Sequence, residues 1–109
     1  MASDLRTVLV TAPDAATAES LAEAVVGERL AACANLVPGV VSVFRWEGEV
    51  QRSEEVLLLL KTTADRTEEL RQRVVALHPY EVPEVLVLPV EGGHEPYQAW
   101  VRAQVQVAS

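Results

Sequence analysis

Apolar and polar positions alternate along this chain with two different periods, and the periods divide it into elements. Residues 7–11 are β-branched except for Leu9, and Pro13 closes the run, which predicts a strand apolar on both faces. Asp14 then stands at a helix cap position. Beyond it Ala18, Leu21, Ala22 and Val25 recur at helical spacing, with Glu19, Ser20 and Glu23 on the outer side. Residues 32–46 favour strand, and Pro38-Gly39 interrupts them as a bulge or an edge does, so one long bent strand is expected. Glu47-Gly48 supplies a tight turn and residues 50–62 run back, completing an extended hairpin. Asp65 and Glu68 have the spacing of a capping box, and Leu70, Val74 and Leu77 form the buried stripe of a second helix that Pro79 stops. A fourth strand over 85–90 follows. After Gly92-Gly93 a last helix starts near Pro96, with Tyr97, Trp100, Val101 and Val105 on one side.

The order β-α-β-β-α-β, then α, predicts an α+β fold of the ferredoxin-like type: an antiparallel four-stranded sheet with two helices on one face. The other face is then left bare. Yet Val56, Leu58 and Leu60 point one way while Leu57 and Leu59 point the other, and residues 85–88 are apolar on both sides. Leaving those side chains in water would cost several kcal/mol and invite aggregation. A homo-oligomer packed sheet to sheet is the expected remedy.

Composition narrows the field. A chain of 109 residues with no repeat and no low-complexity stretch is one domain, 1–109. Nine Lys and Arg against sixteen Asp and Glu give a net charge of -7, which repels phosphate backbones and anionic lipid, so neither nucleic acid nor membrane is an expected partner. The longest aliphatic run, 56–60, is far short of the ~20 residues a membrane helix needs. Cys33 is the single cysteine, and Met1-Ala2-Ser3-Asp4 lacks the basic, apolar start of an export signal, so a cytoplasmic location is expected.

The densest cluster of chemistry is His78-Pro79-Tyr80-Glu81-Val82-Pro83-Glu84. Its two prolines fix the backbone and hold His78, Tyr80 and Glu81 in defined directions. The cluster reads either as a ligand site or as a rigid helix-to-strand connection with His78 at the helix C-terminus. Cys33 with a nearby imidazole could hold copper or zinc, but no C-x-x-C or H-E-x-x-H spacing supports it, and a buried inert thiol is the competing reading. Arg45, Trp46 and Lys61 lie near the hairpin and could face a cleft, although Phe44 and Trp46 equally suit packing or a subunit contact. Glu54-Glu55 and Glu68-Glu69 fall on expected solvated faces. No nucleophile elbow, phosphate loop or dinucleotide fingerprint appears.

Taken together, Glu28-Arg29-Leu30-Ala31-Ala32-Cys33-Ala34-Asn35, Trp46-Glu47-Gly48, Lys61-Thr62 and His78 to Glu84 resemble the divalent-cation tolerance family, CutA. The likeness runs from Thr11-Ala12-Pro13-Asp14 to Tyr97 and Trp100 with every block in order. It implies a ferredoxin-like subunit in a tight homotrimer, similar in architecture to the PII trimers, with a non-enzymatic role in the response to divalent metals, copper above all. No cofactor is implied as a requirement, and copper or another divalent cation is the implied ligand. Carried over residue by residue, the metal candidates are His78, Cys33 and Glu84; beside them a ligand pocket is expected between subunits near Tyr80 and Glu81 and the neighbouring hairpin, with Trp46 and Lys61. The family's cysteine late in the first strand and its histidine just before His-Pro-Tyr are replaced here by Val10 and Leu77. Weak copper binding centred on His78 is therefore the expectation. The alternatives are a small ferredoxin-like acyl-phosphate hydrolase, disfavoured by Pro13 and Asp14 where an anion would sit, and a scaffold without a ligand.

Overall fold

The computed structural model describes residues 3–106, so Met1 and Ala2 of the stretch read for an export signal lie outside the described residues, as do 107–109. The elements are β1 (Leu5–Ala12), α1 (Ala15–Gly27), β2 (Cys33–Trp46), β3 (Glu49–Thr63), α2 (Thr67–Leu77), β4 (Val85–Pro89) and α3 (Glu95–Val105). A short 3-10 turn, Ala64–Arg66, leads into α2.

The strands form one antiparallel sheet in the order β2-β3-β1-β4, the ferredoxin-like arrangement. The inner place of β1 and β3 explains why both are apolar on two sides. Register sets Val8, Val10 and Ala12 opposite Leu60, Leu58 and Val56 on the first face. There they pack against Ala18, Leu21 and Val25 of α1 and Leu70 and Val74 of α2. Each such Val or Leu contributes about 1.5–3 kcal/mol by leaving water. Asp14 caps α1 by accepting a hydrogen bond from the Thr17 N–H at 2.8 Å. The Glu28 to Asn35 block then brings the chain back to the sheet. Arg29 takes a left-handed φ of 60°, Leu30 enters the core, and the Leu30 carbonyl accepts from the buried Thr62 hydroxyl at 2.7 Å.

Four expectations are corrected. Asp65 and Glu68 form no capping box: residue 66 is the α2 cap without a side-chain bond, and Asp65 instead accepts from the Thr63 hydroxyl two residues back. Leu77 is exposed, because α2 ends there and the last turn leaves the core. On α3 it is Gln98, Val101 and Val105 that are buried, while Tyr97 and Trp100 stand outward, stacked on each other with ring centres 5.7 Å apart. Finally, the second sheet face is not wholly bare. Leu5, Ala32, Val101 and Val105 make a separate small core beneath α3, which covers one end of it. The middle stays open: Leu86 and Leu88 are exposed and Leu9, Leu57 and Leu59 only half-buried. Among the described residues no helix is long and apolar enough to cross a membrane.

Candidate functional site

The end of the second face that α3 leaves uncovered carries a groove of about 840 Å3, between the β2-β3 hairpin and the segment that joins α2 to β4. What the hairpin shows to this groove is decided by the bulge at Pro38-Gly39. Val37 pairs with Leu57 but Val40 pairs with Glu55, so three steps on β2 face two on β3. The extra residue reverses the alternation and puts Ser42, Phe44 and Trp46 on the side of Ser53 and Glu55. Gly39 carries the left-handed turn this needs, at φ 75°. Beyond, Trp46 pairs with Glu49 across the two-residue turn Glu47-Gly48, both with positive φ, as the tight hairpin expected from the sequence requires.

The opposite wall is the Pro-rich connection, and His78 is what fastens it. The histidine is buried at 8% exposure, its Nε2 lies 2.7 Å from the Thr11 carbonyl, and its Nδ1 lies 3.1 Å from the Tyr80 backbone nitrogen. A carbonyl only accepts and an N–H only donates, so the ring carries its proton on Nε2 and accepts at Nδ1. Neither nitrogen has a lone pair left for a metal. His78, the expected copper ligand, is thus a clasp between the end of β1 and the connection, and Tyr80 leans on it with ring centres 4.6 Å apart.

The clasp aims Tyr80 at the sheet, where its hydroxyl donates to Glu55 Oε2 at 2.7 Å. Burial first, then that bond and the charge of Glu55, push the Tyr80 hydroxyl well above its ordinary range, which keeps it a donor. Glu55 is itself 8% exposed, buried on the face it shares with Leu57 and Leu59. Glu81 and Glu84 add two carboxylates to the rim. Phe44, Trp46 and Val82 supply apolar wall, and among the described residues neither lysine, arginine nor histidine lines the groove.

The remaining expected residues lie elsewhere. Lys61, assigned to the pocket from the sequence, pairs with Thr7 and Cys33, six positions along β3 from Glu55 and so roughly 20 Å away. Its ammonium donates to the Asn35 side chain and lies 4.0 Å from Cys33 Sγ. The thiol is 3.5 Å from the Tyr97 hydroxyl, and that contact, with burial, raises Tyr97 to about 12. Cys33 therefore sits under α3 at the far end of the face from Glu84 and the clasp. Among the described residues no three His, Cys, Asp or Glu side chains converge on one point. Glu55, assigned to a solvated face from the sequence, is the site residue that reasoning missed. Its signal was present: it alternates onto the same strand face as two leucines.

The chain is thus a ferredoxin-like α+β fold with a two-sided apolar sheet, a clasped His-Pro-Tyr connection and an acidic, aromatic groove. Comparison with known proteins sharpens this. The profile of the CutA1 divalent ion tolerance protein family matches residues 6–104, and the chain belongs to that family. The Divalent-cation tolerance protein CutA of Thermus thermophilus is 50% identical over 95 residues, which span 87% of this chain and 92% of that protein. The crystal structure of CutA from Xylella fastidiosa superposes with a TM-score of 0.93 at 38% identity, covering 95% of this chain and 100% of that one. CutA1 from Oryza sativa gives 0.93 at 39% identity, with 98% of each chain covered.

Proposed function

We propose that the chain is a homotrimeric, non-enzymatic divalent-cation tolerance protein whose ligand site is the groove between hairpin and connection. The observation that carries this is Glu55: a buried carboxylate held by Tyr80 in a groove that no basic side chain among the described residues lines. The names of its relatives speak of tolerance to divalent cations, and this supports divalent cations as the ligand class. Among the described residues no three metal-type ligands converge within one subunit, which supports weak binding of copper or another divalent ion, at micromolar levels or poorer, by carboxylates. The open apolar strip of Leu9, Leu57, Leu59, Leu86 and Leu88 supports assembly. The hydrolase reading is weakened by Asp14, whose carboxylate occupies the N-terminus of α1 where an oxyanion would be cradled. Cytoplasmic placement accords with one unpaired cysteine.

The test is growth on copper-supplemented medium of bacteria that lack their own member of the family. The wild-type chain is expected to restore tolerance and Glu55→Gln to fail at equal protein level. Equal rescue by both would remove the groove from the function.

A further inference from the structure

The groove's chemistry specifies more than a cation. Glu55 uses one carboxylate oxygen on Tyr80, and its Oε1 has no protein partner among the described residues. No side-chain oxygen or nitrogen in the described structure is both sealed from solvent and unbonded, so this oxygen of a buried residue reaches solvent, and the groove that Glu55 lines is the opening beside it. It is an acceptor open to the groove. Ser42 and Ser53, cross-strand partners on the same side, add hydroxyls. Glu81 and Glu84 place further negative charge at the rim, and Phe44, Trp46 and Val82 lie among these groups. Among the described residues no three His, Cys, Asp or Glu side chains converge, so a bare metal ion is held only weakly here. An inorganic anion meets three carboxylates. A neutral apolar ligand leaves Glu55 without a donor.

Building on the groove as the ligand site, we propose that it binds a protonated alkyl polyamine, with one terminal ammonium on Glu55, another towards Glu81 and Glu84, and the methylene chain across the aromatic wall. A primary ammonium donates a charge-assisted N–H to Oε1 in place of solvent, a second matches the rim, and the ammonium attracts the ring faces of Phe44 and Trp46. The methylenes take the apolar surface between them. A groove of about 840 Å3 lies within the range of small-molecule sites and has room for such a chain.

The experiment titrates spermidine and diaminohexane into the full-length assembled protein at fixed ionic strength. Trp46 fluorescence is followed in a Trp100→Phe background, with hexanediol as the uncharged analogue. Saturable binding of both amines and none of hexanediol is expected. Glu55→Gln should weaken binding about tenfold or more, as loss of a charge-assisted bond implies, and Glu81→Gln, on the exposed connection, should weaken it less. Glu68→Gln, which removes the same charge from the outer face of α2, should change it within about twofold. Absence of saturation, equal weakening by Glu55→Gln and Glu68→Gln, or equal binding of hexanediol would overturn the proposal. A parallel copper titration separates the two readings. Copper binding that depends on Glu55 with no amine effect sinks only the polyamine, whereas independence of both ligands from Glu55 sinks the groove as well.

Discussion

Replacing His78 by alanine separates a clasp from a metal ligand, because the two roles put the cost in different measurements. The substitution removes one hydrogen bond to the Thr11 carbonyl and one from the Tyr80 N–H, at 2.7 and 3.1 Å. Each is worth about 0.5–1.5 kcal/mol net, with the larger values applying where the abandoned partner stays out of water. The imidazole is also buried and packs on Tyr80, so its loss leaves a void that adds to the cost. The total is about 2–4 kcal/mol per subunit. Urea unfolding of wild type and variant at one fixed subunit concentration reads this directly, since an assembly's apparent stability shifts with concentration. Released from the clasp, Tyr80 loses its aim at Glu55, and Trp46 fluorescence should shift in the folded variant. A destabilisation below about 0.5 kcal/mol would refute the clasp, because two buried hydrogen bonds cannot be lost that cheaply.

Other outcomes follow from the same geometry. Light scattering should give three times the subunit mass of 11.9 kDa down to micromolar concentration, and Leu59→Asp should lower it to the single-subunit value, because an unpaired charge in a covered face loses its water; an unchanged mass in the variant would show Leu59 outside any contact. The Asp14 carboxyl is held below its ordinary value by the Thr17 N–H, so its contribution is present above that value and disappears as pH falls through the lowered one. Asp14→Ala should therefore lower the melting temperature at pH 7 but not at pH 2, and equal lowering at both would contradict the cap. Deleting Gly39 removes the bulge but leaves Val40 opposite Glu55 and keeps Ser42, Phe44 and Trp46 on the groove side; the variant should keep its sheet by circular dichroism and the groove's response to cations, and loss of that response with an intact sheet would contradict this register.

Much of the fold was legible because its determinants are local and periodic. The helical recurrence of Ala18, Leu21 and Val25, the Glu47-Gly48 turn, and the two-sided leucines of β3 each name their element and its neighbours. What was illegible depends on register. The Asp65 spacing fits a cap, but the 3-10 turn before α2 shifts the helix start and gives Asp65 to Thr63. Tyr97 and Trp100 share a helical stripe with Val101, yet the small core under α3 admits only Val101 and Val105. At the site, the stiff connection from His78 to Glu84 was recognised as functional chemistry, but spacing does not tell which nitrogen of His78 is already taken. Lys61 lies near the hairpin in sequence, yet a strand of fifteen residues carries its two ends far apart, so within one chain Lys61 stands away from Glu55. Glu55 was hidden by a charged neighbour, Glu54, that points the other way.

The central claim is that cations meet this protein at the groove carboxylate and not at the histidine. Calorimetric titration of copper at pH 7.5 into wild type, His78→Gln and Glu55→Gln tests it most directly, the glutamine at 78 being able to keep a donor towards the Thr11 carbonyl. The account predicts weak binding to wild type, the same affinity in His78→Gln, and a loss of several-fold in Glu55→Gln. Loss in His78→Gln with full retention in Glu55→Gln would contradict it and return the site to the imidazole.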